Sequence, residues 1–253
     1  MIGCLQRRRA FPLEILEWAD LAAQYDGGAA AKRENQLFQI VARLCALQSV
    51  YVPHGEVHQP IVLTLANDID TDLVEYLHAI PACLHYHIKQ CGFSENVLFD
   101  YYHVYPNTWI TGAYNLYRVA RILTNEVILN WYTHNPGWNN VQLHRRQCET
   151  VLARLNADIC ASVPYASGEL GVGESLPRAH VGIALVWPLY LAATMDGVQA
   201  STRAWVITRL DKLGHELGIQ QAVSLANVLR TKHGITAWDR FESTRVDEEL
   251  SEW

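Results

Sequence analysis

The chain has 253 residues, half of them apolar and only 18% charged, with eight Trp and a net charge of −6. That length buries a large core without disulfide staples, and so little charge predicts an extensive interior or a face covered by something else. The acidic balance excludes a surface that grips nucleic-acid phosphates by charge alone.

Taken in chain order, "MIGCLQRRRAFPLEILEWA" (1–19) has no apolar core of signal-peptide type. Its Arg7-Arg8-Arg9 is read as a solvated cluster, with a nuclear-import signal as the other reading. "PLEILEWADLAAQY" (12–25) places Pro at the first helical position and Gly27-Gly28 at the end. In "KRENQLFQIVARLCALQSVYV" (32–52), Leu37, Ile40, Leu44, Leu47 and Tyr51 share one helical face, and "PHGEVHQP" (53–60) breaks the pattern. "IVLTLANDIDTDLVEYLHAIP" (61–81) opens like a strand but continues at helical spacing, which predicts helix throughout.

"FSENVLFDYYHVYP" (93–106) reads as a packed aromatic connector. The longest predicted helix is "NTWITGAYNLYRVARILTNEVILNWY" (107–132), apolar nearly all round and therefore buried on several sides. "NNVQLHRRQCETVLARLNADICASV" (139–163) is the next, and "PYASGELGVGESLP" (164–177) reads as a loop. Residues 182–199, "GIALVWPLYLAATMDGVQ", overlap an apolar run from Val181 to Met195 that is fifteen residues long. A membrane span needs about 20, so a buried helix is predicted, kinked at Pro188 because proline cannot donate to residue 184. "STRAWVITRLDKLGHELG" (201–218) and "IQQAVSLANVLRTKHG" (219–234) follow, with Gly218 and Gly234 as C-caps. "WDRFESTRVDEELSEW" (238–253) reads as an acidic tail, with an activation segment as its alternative.

The pattern predicts an all-α chain. It forms a single compact multi-helix domain over 1–253, with helices packed antiparallel about the Pro-kinked one, and residues 1–10 and 240–253 flexible.

Four stretches resemble the fungal-specific transcription factor domain, the C-terminal regulatory region of fungal zinc-cluster transcription factors. They are "ANDIDTDLVEYLHAIPACLHYH" (66–87), "WITGAYNLYRVARILTNEVIL" (109–129), "ADICASVPY" (157–165) and "WPLYLAA…RAWVITRLDKLGHELGIQQAVSLANVL" (187–229). The resemblance covers about residues 60–230. It implies a nuclear regulatory module, with a small-molecule effector, proteins of the transcription machinery or a second copy as partners. Family members read DNA through a six-cysteine zinc cluster with two C-x-x-C pairs. The six cysteines here, Cys4, Cys45, Cys83, Cys91, Cys148 and Cys160, form no such pair. The expectation is a regulator without its own DNA-reading module, with no cofactor, metal or membrane. Its cysteines are expected to be reduced thiols in the nucleus or otherwise the cytoplasm, not in a secreted protein.

Chemistry-bearing residues are sparse. His85-Tyr86-His87 lacks a third metal ligand nearby, Ser162 and Ser175 lie in no nucleophile elbow, and "GELGVGES" (168–175) is no phosphate loop. Asn115, Arg118, Arg121, Asn125 and Glu126 interrupt the apolar helix at 107–132. Buried charge there must be paired. Either the arginines clamp neighbouring groups, or Asn115, Arg118 and Arg121 line an effector site, where Arg suits an acidic metabolite. A second reading is a stand-alone secondary-metabolism enzyme that positions a small molecule, with His103, Tyr102 and Arg118 as catalytic candidates.

Overall fold

The computed structural model describes residues 2–26, 28–50, 59–92, 94–168, 178–195 and 197–231. The predicted C-cap at Gly234, the acidic tail, Ser175 and most of the 164–177 loop lie outside them. The fold is all-α, with nine α-helices among the described residues: α1 (Ile2–Gln6), α2 (Leu13–Asp26), α3 (Ala29–Val50), α4 (Pro60–His78), α5 (Thr108–His134), α6 (Val141–Ala166), α7 (Arg178–Thr194), α8 (Ala200–Leu217) and α9 (Gln220–Thr231). Two short strands, β1 (His87–Gln90) and β2 (Tyr101–Val104), pair antiparallel with His87 opposite Val104. This hairpin corrects the expectation of a connector at 93–106, and a further bond from the Cys91 amide to the Asp100 carbonyl extends it.

The residues group into two compact units, 1–80 with 120–154, and 81–119 with 155–253. In the first, α2 lies on α3, where Asn35 and Gln39 both donate to Asp20 at 2.6 and 2.9 Å. Ala23 is buried in the same contact, and Phe11 meets Phe38 edge-on at 5.0 Å just before α2 begins. On α4, Leu63, Ala66, Ile69, Leu73 and Tyr76 are buried at spacings of three and four. That spacing is why helical periodicity prevails over the strand-like start at Ile61.

In the second unit, α7 buries Leu185 through Ala193 on every side. A helix apolar all round is a core helix, and no helix among the described residues is long and apolar enough to cross a membrane. Pro188 stands within α7. Near its end, the Ala192 carbonyl accepts from Asn156 Nδ2 of α6 at 2.7 Å, which satisfies one of the acceptors a helix end leaves open. The helix α6 continues through Pro164 to Ala166, three residues into the predicted loop. Burial of Tyr165 against Tyr105, with ring centroids 5.7 Å apart, supplies the reason.

The turn from α8 to α9 is tight. Gly218 caps α8 with φ +70°, in the left-handed region that favours glycine. A methyl group at Gly214 would stand 2.4 Å from Val223 Cγ2 and 3.2 Å from the Val223 backbone nitrogen. Gly214→Ala is therefore expected to destabilise by about 1–3 kcal/mol, despite alanine's better helix propensity, because α9 itself must shift. At Gly182 the obstructing atoms are the side-chain ends of Leu217 and Ile219, which can turn away. Urea melts should rank Gly214→Ala below Gly182→Ala, and the reverse order would contradict this packing.

Candidate functional site

Polar groups converge in the second unit around Arg118 of α5, whose side chain is 1% exposed. Its Nη1 donates to Asn115 Oδ1 at 2.8 Å, one turn earlier on the same helix. Asn115 Nδ2 donates in turn to Ser162 Oγ of α6 at 3.1 Å, and the Ser162 hydroxyl donates to the Ile159 carbonyl at 2.7 Å. Ser162 is thus buried within α6, inside the predicted helix 139–163 and close to the loop that follows.

Aromatic rings complete the enclosure. The Arg118 guanidinium carbon lies 5.5 Å from the Tyr86 ring centroid, 5.8 Å from Tyr105 and 5.5 Å from Tyr114. Each lies within cation–π range. Burial works against the Arg118 charge most strongly, but attraction to Tyr105 and Asp158, a hydrogen bond to Tyr105, and Tyr86 more than offset it. The guanidinium pKa stands above its usual value.

The strand β2 places His103 against this group. Its Nδ1 lies 3.4 Å from Arg118 Nη2 and 3.3 Å from the Tyr105 hydroxyl. A guanidinium only donates, so Nδ1 is the acceptor and the ring proton sits on Nε2. Nε2 is 3.8 Å from Asp158 Oδ1, too far for a hydrogen bond. Tyr86 stacks on the imidazole, with centroids 4.0 Å apart. Burial, then the Arg118 charge, lowers the His103 pKa to about 3. The Asp158 carboxylate, which favours imidazolium, does not overturn that balance. The ring is neutral at physiological pH.

Of the sequence candidates, the structure brings His103, Asn115 and Arg118 together. Tyr102 faces the other way on β2, buried, with Lys89 Nζ 6.0 Å from its ring centroid. Arg121 belongs to the first unit, where Nε and Nη2 grip Asp70 of α4 at 2.9 and 3.3 Å. Asn125 Nδ2 adds a bond to Asp70 Oδ1 at 2.7 Å. The two arginines thus serve separate clusters. Sequence reasoning missed Tyr86, Tyr105, Tyr114 and Asp158 as members of the Arg118 cluster. The period-two series Tyr101, His103, Tyr105 was the available signal for two of its residues.

The arrangement holds a buried charge against neutral acceptors and ring faces. Burial also pushes the Cys45 and Cys160 thiols up to about 12 and Cys148 to about 11, so none is an activated nucleophile. All six cysteines are unbridged. Among the described residues, no three His, Cys, Asp or Glu side chains gather as a metal site would require. Comparison with models of protein families, with curated proteins and with solved structures finds no match for the chain.

Proposed function

We propose that the chain is a non-enzymatic regulatory domain acting in control of transcription in the nucleus, related to the fungal-specific transcription factor domain that its four stretches resemble. The observation that carries this reading is the closure of the Arg118 cluster. Its imidazole is 1% exposed and holds its proton on the side away from Arg118, and its arginine, asparagine and serine bond to one another. An acid–base catalyst needs a group with a pKa near the working pH and within reach of substrate. A His103 with a pKa of about 3 lacks the first, and a ring 1% exposed lacks the second. The alternative, a secondary-metabolism enzyme using His103, Tyr102 and Arg118, has Tyr102 on the opposite face of the strand.

Tethering tests the proposal. The chain is fused to an unrelated sequence-specific DNA-binding module in a fungal host, with a reporter placed behind its site. A severalfold change in reporter output, in either direction, is the expected result. An unchanged reporter with the fusion accumulating in the nucleus would overturn the regulatory reading. Protein-dependent conversion of a compound in an extract of source metabolites would favour the enzyme instead.

A further inference from the structure

The outer side of α2 carries apolar surface that none of the described residues covers. Tyr25 is 92% exposed, Trp18 70%, Leu21 58% and Ile15 40%, while the opposite side of the same helix is fixed on α3 through Asp20 and Ala23. The contact with α3 therefore decides which face is turned out. We infer that this face is the interface of a two-fold homodimer, formed by antiparallel packing of α2 against the same helix of a second copy.

Three observations choose a second copy as the occupant. The seam Glu14, Trp18, Leu21, Tyr25 is spaced four, three and four residues, a series that reads the same in reverse. A two-fold axis between positions 19 and 20 sets Trp18 against Leu21 and Glu14 against Tyr25 of the other copy, so each interface residue finds its reciprocal, as isologous contact requires. Charge agrees with that register. The seam carboxylate meets a phenol able to donate to it, and Glu17 falls opposite Ala22, so no carboxylate faces another.

Area agrees as well. Large aromatic side chains carry about 150–250 Å² each, so Trp18 and Tyr25, with Leu21 between them, offer on the order of 500 Å² per copy. Two copies then bury about 1,000 Å², the lower bound for a specific interface. A weak, concentration-dependent dimer is the consequence. The inference does not rest on the regulatory reading, since α2 lies outside residues 60–230.

Sedimentation equilibrium of the purified full chain tests it. The wild type is expected to reach twice the 28.6 kDa chain mass at about 100 µM. Trp18→Glu should weaken association at least roughly thirtyfold, as loss of a central aromatic anchor does. Leu65→Glu, at another exposed apolar position on α4, should leave it unchanged. A second measurement guards against a misfolded variant. With the axis between 19 and 20, the Leu21 backbones of the two copies are offset by about 5 Å along the helices and the Gln24 backbones by about 13 Å. Leu21→Cys should then give an intermolecular disulfide under mild oxidation and Gln24→Cys should not, beyond the wild-type background from exposed Cys83. A wild type that stays monomeric, a Trp18→Glu chain that still dimerises, a Leu65→Glu chain that dissociates, or equal cross-linking at positions 21 and 24 would each overturn the proposal.

Discussion

Replacing Arg118 with methionine is expected to destabilise the protein by about 2–4 kcal/mol, the cost of leaving several buried neutral acceptors without their donor. Methionine fills much of the volume, so the cost falls chiefly on what remains. Asn115 Oδ1 loses its 2.8 Å donor, His103 Nδ1 loses one of its two, and three tyrosine faces lose their cation. Arg118→Lys should recover little, because an ammonium is a point charge and cannot fork between Asn115 and His103 as the guanidinium does. Urea denaturation followed by circular dichroism measures both variants. A loss below about 1 kcal/mol for Arg118→Met would mean the cluster carries no such weight.

Acid should expose the second large effect. The unfolded His103 takes up a proton near its ordinary pKa of 6.5, whereas the folded ring resists until about pH 3. Between those values the unfolded state binds more protons, so stability falls as pH falls, by up to about 1.4 kcal/mol per unit. Above pH 6.5 the full contribution is present; by pH 3 about 4–5 kcal/mol has been lost. The groups facing the ring are Arg118 from α5, Asp158 from α6, Tyr101 from β2, and Tyr86 and Tyr105 at the ends of the hairpin. Asp158 is the one carboxylate among them, with Oδ1 3.8 Å from Nε2. His103→Gln keeps an acceptor for Arg118 and removes the titration. Urea midpoints at pH 7, 6, 5 and 4 should show the wild type declining more steeply than His103→Gln, and parallel curves would contradict the neutral-ring assignment.

How much of this was legible in the sequence depended on distance along the chain. The Asn115–Arg118 pair stood out as polar residues in an apolar helix, and their mutual bond spans one turn. Their remaining partners come from residues 86, 103 and 105 on one side and 158 and 162 on the other, which no local pattern joins. The hairpin escaped because neither strand alternates. All four residues of β1 are exposed, and Tyr102, His103 and Val104 of β2 are all buried. Period-two reading needs one wet face and one dry face. Pro164 misled in another way: proline ends helices as a rule, but burial of Tyr165 and Ala166 carries α6 past it.

The polar groups on α5 also bear on how one arrangement is chosen over its near equivalents. A helix apolar around most of its girth loses little burial when it slips by a residue, so hydrophobicity alone leaves several registers close in energy. A slip of one position turns the helix by about 100°. It would drag Arg118 out of its tyrosine enclosure and tear Arg121 and Asn125 from Asp70. Each wrong register would then strand a charge in a dry interior, at a cost of several kcal/mol. Arg118 and Arg121 work as alignment keys: besides the native contacts they hold, they make mis-set alternatives expensive, a penalty that an all-apolar helix would not impose.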